Sequence, residues 1–178
     1  MKSSVNLWQF FGFAVVSLLG TLLHFVYEWT GESILAAPFS GVNESTWEHM
    51  KLLYWPLLLF AIVQSFFFRN NESFWCIKLY GTMVGLVLIP VLFYTLNGAF
   101  GKTPDYVNIT IFFLSAASAF FFEGALLKKD SFTCKLPGLS IFLLILIGIL
   151  FIFFTFATPK IPLFRDPING SFGISLKV

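Results

Sequence analysis

The sequence predicts an all-α fold, an integral membrane bundle of five transmembrane helices. Three observations carry that expectation. Hydrophobic residues make up 57% of the 178 positions and charged residues 11%, against roughly 25% charged in a soluble domain. Five apolar runs are each about the length that crosses a hydrocarbon core of ~30 Å. The polar residues gather between the runs, where Gly, Pro, Asn and Asp mark turns. The net charge of +2 comes with no basic stripe, which excludes an electrostatic nucleic-acid footprint.

The first run covers residues 7–27 behind a short head containing Lys2. It differs from a secretory signal peptide in its length and in having only a poor, distant cleavage site at Ala36-Ala37-Pro38, so it reads as an uncleaved span. A polar connection follows, and the second run covers 50–68 with Pro56 early in it; proline is tolerated in a first helical turn and kinks a helix further in. Arg69-Asn70-Asn71-Glu72-Ser73 is a short turn before the third run, 74–96, whose Pro90 predicts a kink. Residues 97–106 read as a loop, the fourth run is 107–127, and Lys128-Lys129-Asp130 ends it. Pro137 suits the first turn of a fifth helix in the run 136–157, which Pro159 and Pro162 stop. Residues 158–178 are expected as an extramembrane tail of the single membrane domain.

Five spans put the termini on opposite sides. With the N-terminus cytoplasmic and the C-terminus outside the cell membrane, the inner segments hold Lys2, Arg69, Lys78, Lys128, Lys129 and Lys135. The outer ones hold Lys51, Lys102, Lys160, Arg165 and Lys177, a small bias in the sense of the positive-inside rule. Cys76 and Cys134 have no metal-ligand spacing and are expected as free thiols. Gly81-x-x-x-Gly85 and Ser115-Ala116-Ala117-Ser118-Ala119 predict close packing of the third and fourth helices. No internal repeat of the inverted-transporter kind is visible.

Chemistry concentrates at one corner. Gly41-Val42-Asn43-Glu44-Ser45-Thr46-Trp47-Glu48-His49-Met50-Lys51 lies between two apolar runs, and His24 and Glu28 end the run before it. His24 and Glu28 share a helix face at i, i+4, and an ionisable group at that depth is a functional hypothesis, or else a mutually satisfied pair. Ser45-Thr46-Trp47-Glu48 fits a capping box, with Glu48 reaching back to the Ser45 amide. That accounts for Ser45 and Glu48 but not for Asn43, Glu44 or His49. Imidazole and carboxylate together suit a divalent transition metal, for which His24, Glu28 and His49 are the candidate ligands, although the spacing matches no known motif. The same groups serve equally for proton relay or general base work. Either use of a shared site requires His24 and His49 within roughly 10 Å. Trp29, Trp47, Tyr54 and Trp55 read as interfacial belt residues. Arg165 and Asp166 in the tail form a turn or reach over to neutralise the acids. Glu123 is expected to snorkel or pair.

HFVYEW, PFSGVNESTWEHMKLLYWP and LFRDPINGSFGI together resemble a family of small bacterial multi-span membrane proteins known only as a domain of unknown function. The similarity covers nearly the whole chain, and NES-x-WEH-x-KL is its most specific string. The resemblance implies a bacterial membrane protein and gives weight to His24, Glu28, Asn43, Glu44, Trp47, Glu48, His49, Arg165 and Asp166, but it brings no activity. Three functions stay open. One is binding or transport of a small polar or cationic ligand at the outer face. The second is a membrane-embedded enzyme acting on a lipid or lipid-linked substrate. The third is an accessory subunit whose corner docks a partner.

Overall fold

The structure is a computed structural model that describes residues 2–129 and 131–174; Asp130 and Lys177, named above, lie outside the described residues. It contains five α-helices, α1 Lys2–Trp29, α2 Thr46–Ser65, α3 Phe74–Phe100, α4 Asp105–Leu127 and α5 Pro137–Phe156, followed by a short 3-10 turn at Pro162–Phe164. No strand occurs among the described residues, only an isolated antiparallel bridge between Arg165 and Phe172 in the tail. Four helices are long and apolar enough to cross a membrane: α1, α3, α4 and α5. The exception is α2, whose first turns carry Glu48, His49 and Lys51 and whose last turn carries Gln64.

Each helix buries one stripe. On α1, Val5, Gln9, Gly12, Val16 and Gly20 face inward, at the three-to-four spacing of one helical face. Leu7, Phe10, Phe11 and Leu18 face out. The inward glycines are required by close approach: a Cβ on Gly12 would stand 2.5 Å from the Phe60 and Phe120 rings, and one on Gly20 2.5 Å from Phe112. The expected tight pairing of α3 with α4 is present. A Cβ on Gly81 would collide with the Glu123 side chain, and one on Gly85 would lie 3.3 Å from both Ala119 Cβ and the Ser115 carbonyl. Ser140, Leu144, Gly148, Phe151 and Thr155 form the buried stripe of α5, which packs on α3 and on α2. There the Tyr54 hydroxyl donates to the Leu144 carbonyl at 2.6 Å.

Several expectations shift. The first helix starts at Lys2, the third runs on through residues 97–100, and the fourth opens at Asp105, so the loop between them shrinks to four residues. The Asn97 side chain accounts for this: it donates to the Phe93 carbonyl and its oxygen accepts from the Thr103 amide, tying off the helix end. Because α2 begins at Thr46, Pro56 stands inside the helix rather than in its first turn. The expectation of two free thiols does not hold. Cys76 at the start of α3 and Cys134 just before α5 are joined as a disulfide, with Cα atoms 6.1 Å apart.

At that same end of the bundle Lys78 of α3 donates to Glu123 of α4, both almost wholly buried. The Lys78 ammonium lies 5.6–5.7 Å from the centroids of Phe60, Phe74 and Phe120, and Gln9 packs beside the pair against Gly124. Removing one member strands a buried charge, a loss of about 3–5 kcal/mol, whereas apolar replacement of both is often neutral. Glu123→Ala and Lys78→Met alone should therefore each lower the unfolding temperature in detergent strongly, and Lys78→Met with Glu123→Leu should recover most of it. A single variant as stable as wild type would show that the pair contributes nothing.

Candidate functional site

The opposite end of the bundle holds the polar corner. After α1 the chain turns through Gly31 and Glu32, both at positive φ, and folds back so that residues 41–44 pass beside the last turns of α1. A Cβ on Gly41 would lie only 3.5 Å from His24 Nδ1. Asn43 makes the local turn: its side-chain oxygen accepts from the Ser45 amide at 2.9 Å, and its amide group donates to the Gly173 carbonyl of the tail at 3.1 Å. Ser45 then caps α2, its hydroxyl accepting from the Glu48 amide at 3.4 Å.

Only half of the expected capping box forms, because the Ser45 amide is taken by Asn43. The Glu48 carboxylate turns inward, accepting from the Val42 amide at 3.1 Å and from the Lys51 ammonium at 2.6 Å. Lys51 is fully buried and also donates to the Ala37 carbonyl at 2.7 Å and to Thr155 Oγ1 at 3.2 Å. Glu48 and Lys51 thus stitch the α1–α2 connection to α2 and α5. They do not line the cluster described next.

His24, Glu44 and His49 meet. Glu44 Oε1 is 3.3 Å from His24 Nε2, and Glu44 Oε2 is 3.7 Å from His49 Nε2. The two imidazole centroids are 5.9 Å apart, within the separation that a shared site requires. One ligand atom from each of the three residues lies within 4.8 Å of the others. All three side chains are half-buried. The His24 hydrogen bond, with the charges of both imidazoles behind it, holds the Glu44 carboxyl below its ordinary value of 4.5 against the opposing effect of burial.

His49 is held from behind. Its Nδ1 is 3.0 Å from the Ser45 carbonyl, an oxygen that can only accept, so Nδ1 carries the proton of that hydrogen bond. Nε2 is thereby the ring atom turned toward the Glu44 carboxylate, the nitrogen that a cation lying between the two would engage. Glu44 is itself positioned by the tail: its amide donates to Asp166 Oδ2 at 3.3 Å. Asp166, almost fully buried, is fixed by the amides of Ile168 and Asn169 on its other oxygen.

The remaining candidates lie elsewhere. Glu28 is exposed one turn beyond His24 and outside the trio; with Glu32, Asn43 and Glu44 it lines a neighbouring cavity of about 270 Å³. Trp47 packs its ring against Phe151, Phe154 and Phe164. Arg165 is exposed and takes part in none of the ion pairs formed among the described residues. A second cavity at the corner, about 350 Å³, has His24, Glu44 and His49 on its wall together with Asp105 and Asn108 from α4. The alternation of five spans already puts Asp105 at the same face as the histidines, whereas Asn108 carries no such signal and is brought there by the antiparallel packing of α4 on α1.

The depressed Glu44 carboxyl fixes a sign. Its stabilising contribution is complete above 4.5 and is lost as the pH falls through the lowered native value. In chelator-containing buffer Glu44→Gln should lower the unfolding temperature at pH 6, and the gap to wild type should close as the pH is taken well below 4.5. A gap constant across that range would show that Glu44 has no such contact.

No curated protein and no solved structure matches the chain. A family model does match, over residues 1–174, and by it the chain belongs to the family of unknown function DUF6512.

Proposed function

We propose that this is a multi-pass membrane protein in which all five helices span the bilayer, and that His24, Glu44 and His49 bind a divalent transition-metal ion at one membrane face. The bilayer reading is supported by the outer surfaces. Even α2, the least apolar helix, exposes Leu59, Ile62 and Val63 on its outer side, where a water-facing helix would carry charge.

The observation that carries the metal reading is the convergence of two imidazole nitrogens and one carboxylate oxygen within 4.8 Å of one another. Two donors that share a tetrahedral ion at ~2.1 Å each stand about 3.4 Å apart, so the widest pair of the trio has at most about 1.4 Å to close. The Ser45 carbonyl behind His49 is the kind of outer partner that orients a ligating imidazole. Imidazole and carboxylate donors favour zinc, iron or manganese over calcium or magnesium. Three protein ligands leave a coordination position open toward the cavity, the condition for exchange or chemistry rather than for a closed structural site.

Elemental mass spectrometry of detergent-purified protein tests this. Wild type should hold about one equivalent of transition metal, and His24→Ala and His49→Ala should hold none, while Glu28→Gln keeps its metal. Asp166→Ala, which frees the Glu44 backbone, should weaken affinity by about 10–100-fold, as loss of an outer-shell partner does. Metal absent from wild type, even after incubation with zinc and manganese salts, would sink the proposal.

A further inference from the structure

The corner cavity has two chemically distinct ends. At one end stand the three proposed ligands, with Asp105 and Asn108 beside them. The other end runs down between α1 and α4 and is walled by Gly20, Leu52, Ile109, Phe112 and Phe113, with Phe25 at the rim beside His24. Bare backbone at Gly20 lets the Phe112 ring lie across its floor. Phe25, Ile109 and Phe113 are exposed, as is Thr21 on the same wall, so the cavity opens sideways on the outer faces of two helices that are long and apolar enough to cross a membrane. In a bilayer that mouth faces acyl chains rather than water. At about 350 Å³ it falls within the ~300–1,000 Å³ of small-molecule sites.

A small hydrophilic ligand would leave most of that wall uncovered, and an apolar one would strand the polar end, including Asn108 Oδ1, which is buried without a hydrogen-bond partner. An amphiphile satisfies both ends. The head is constrained by charge. With Glu44 and Asp105 at the polar end, a bare anion is repelled unless a metal ion sits between, and an ion held by three ligands offers its open position to an oxygen donor.

We infer that the α1–α4 cavity takes the hydrocarbon chain of a membrane amphiphile with a phosphate or carboxylate head, and that the head oxygen completes the coordination of the metal at His24, Glu44 and His49. This deepens the metal-site reading above and rests on it for the head, whereas the chain's place rests on the cavity alone. Entry is lateral, from the leaflet that adjoins the corner.

The test uses the full chain in detergent, incubated with manganese or zinc, and a dodecyl phosphate bearing a diazirine on its alkyl chain. Photolabelling followed by peptide mass spectrometry should mark residues 20–25 and 109–113. Unlabelled dodecyl phosphate should compete at least about tenfold better than inorganic phosphate. Ile109→Trp and Thr21→Trp, which fill the mouth from either wall, should each cut labelling by about tenfold or more while keeping their metal, and metal retention shows that the variants are folded. Labelling spread over all outer helix faces, or unchanged in both metal-loaded variants, overturns the inference. Inorganic phosphate competing as well as the amphiphile overturns it too, in favour of a free oxyanion. Cavity labelling that persists in a wild type holding no metal overturns the metal reading and the head's place on it, and upholds the chain's place. Absence of labelling from a protein that does hold metal overturns the inference and leaves the metal reading intact.

Discussion

The corner depends on one buried ammonium group. Lys51 Nζ has three protons and spends them on Glu48, the Ala37 carbonyl and Thr155 Oγ1, which joins α2, the α1–α2 connection and the end of α5 at one point. A charge in that position is tolerable only because every proton is used and the counter-charge is adjacent. With Glu48 turned inward to it, the chain just before α2 is pulled down by the Val42 amide, and Glu44, two residues further on, is delivered to the histidines. The residues that hold the site together are therefore distinct from those that line it, although Val42, Glu44, Glu48, His49 and Lys51 all come from one eleven-residue stretch of sequence.

Much of this was legible in advance. Apolar runs of span length locate all five helices, because a helix in an apolar surrounding needs no alternating pattern, only enough consecutive apolar residues. Small residues at Gly81, Gly85, Ser115 and Ala119 announce the α3–α4 contact, since close backbone approach leaves room for little else. The helix ends were less legible: Asn97 and Gly98 read as loop, yet side-chain hydrogen bonds from Asn97 carry α3 through them. Composition also signals that the stretch 41–51 and His24 belong together.

Which acid does what was not legible. Glu28 shares a helix face with His24, so spacing favours it, but a turn holding two residues at positive φ swings Glu44 into the gap between the histidines. Glu48 fits a local capping pattern and is instead claimed by a lysine three residues on. Lys78 reads as a flanking charge and Glu123 as an acid near a helix end that snorkels or pairs; the structure pairs the two and buries both. In each case the partner is chosen by packing between elements, to which local spacing is blind. Asp166 shows the same limit from the other side, since a turn in the tail gives no sign that it anchors a residue 122 positions away.

The cysteine pair bears on which compartment the histidines see. Cys76 and Cys134 sit at the end of the bundle remote from the histidines, beside Lys128, Lys129 and Lys135. Disulfides persist on the oxidising side of a membrane, whereas basic clusters favour the cytoplasmic side. The two signals oppose each other on one surface. Lys51 and Lys78, both buried in ion pairs, drop out of the count of flanking charges and leave the basic bias slight. In a cell, a disulfide that persists would put this end of the bundle in the oxidising compartment and a reduced pair would leave it in the cytosol, so the redox state of two sulfur atoms would report the side on which the histidines lie.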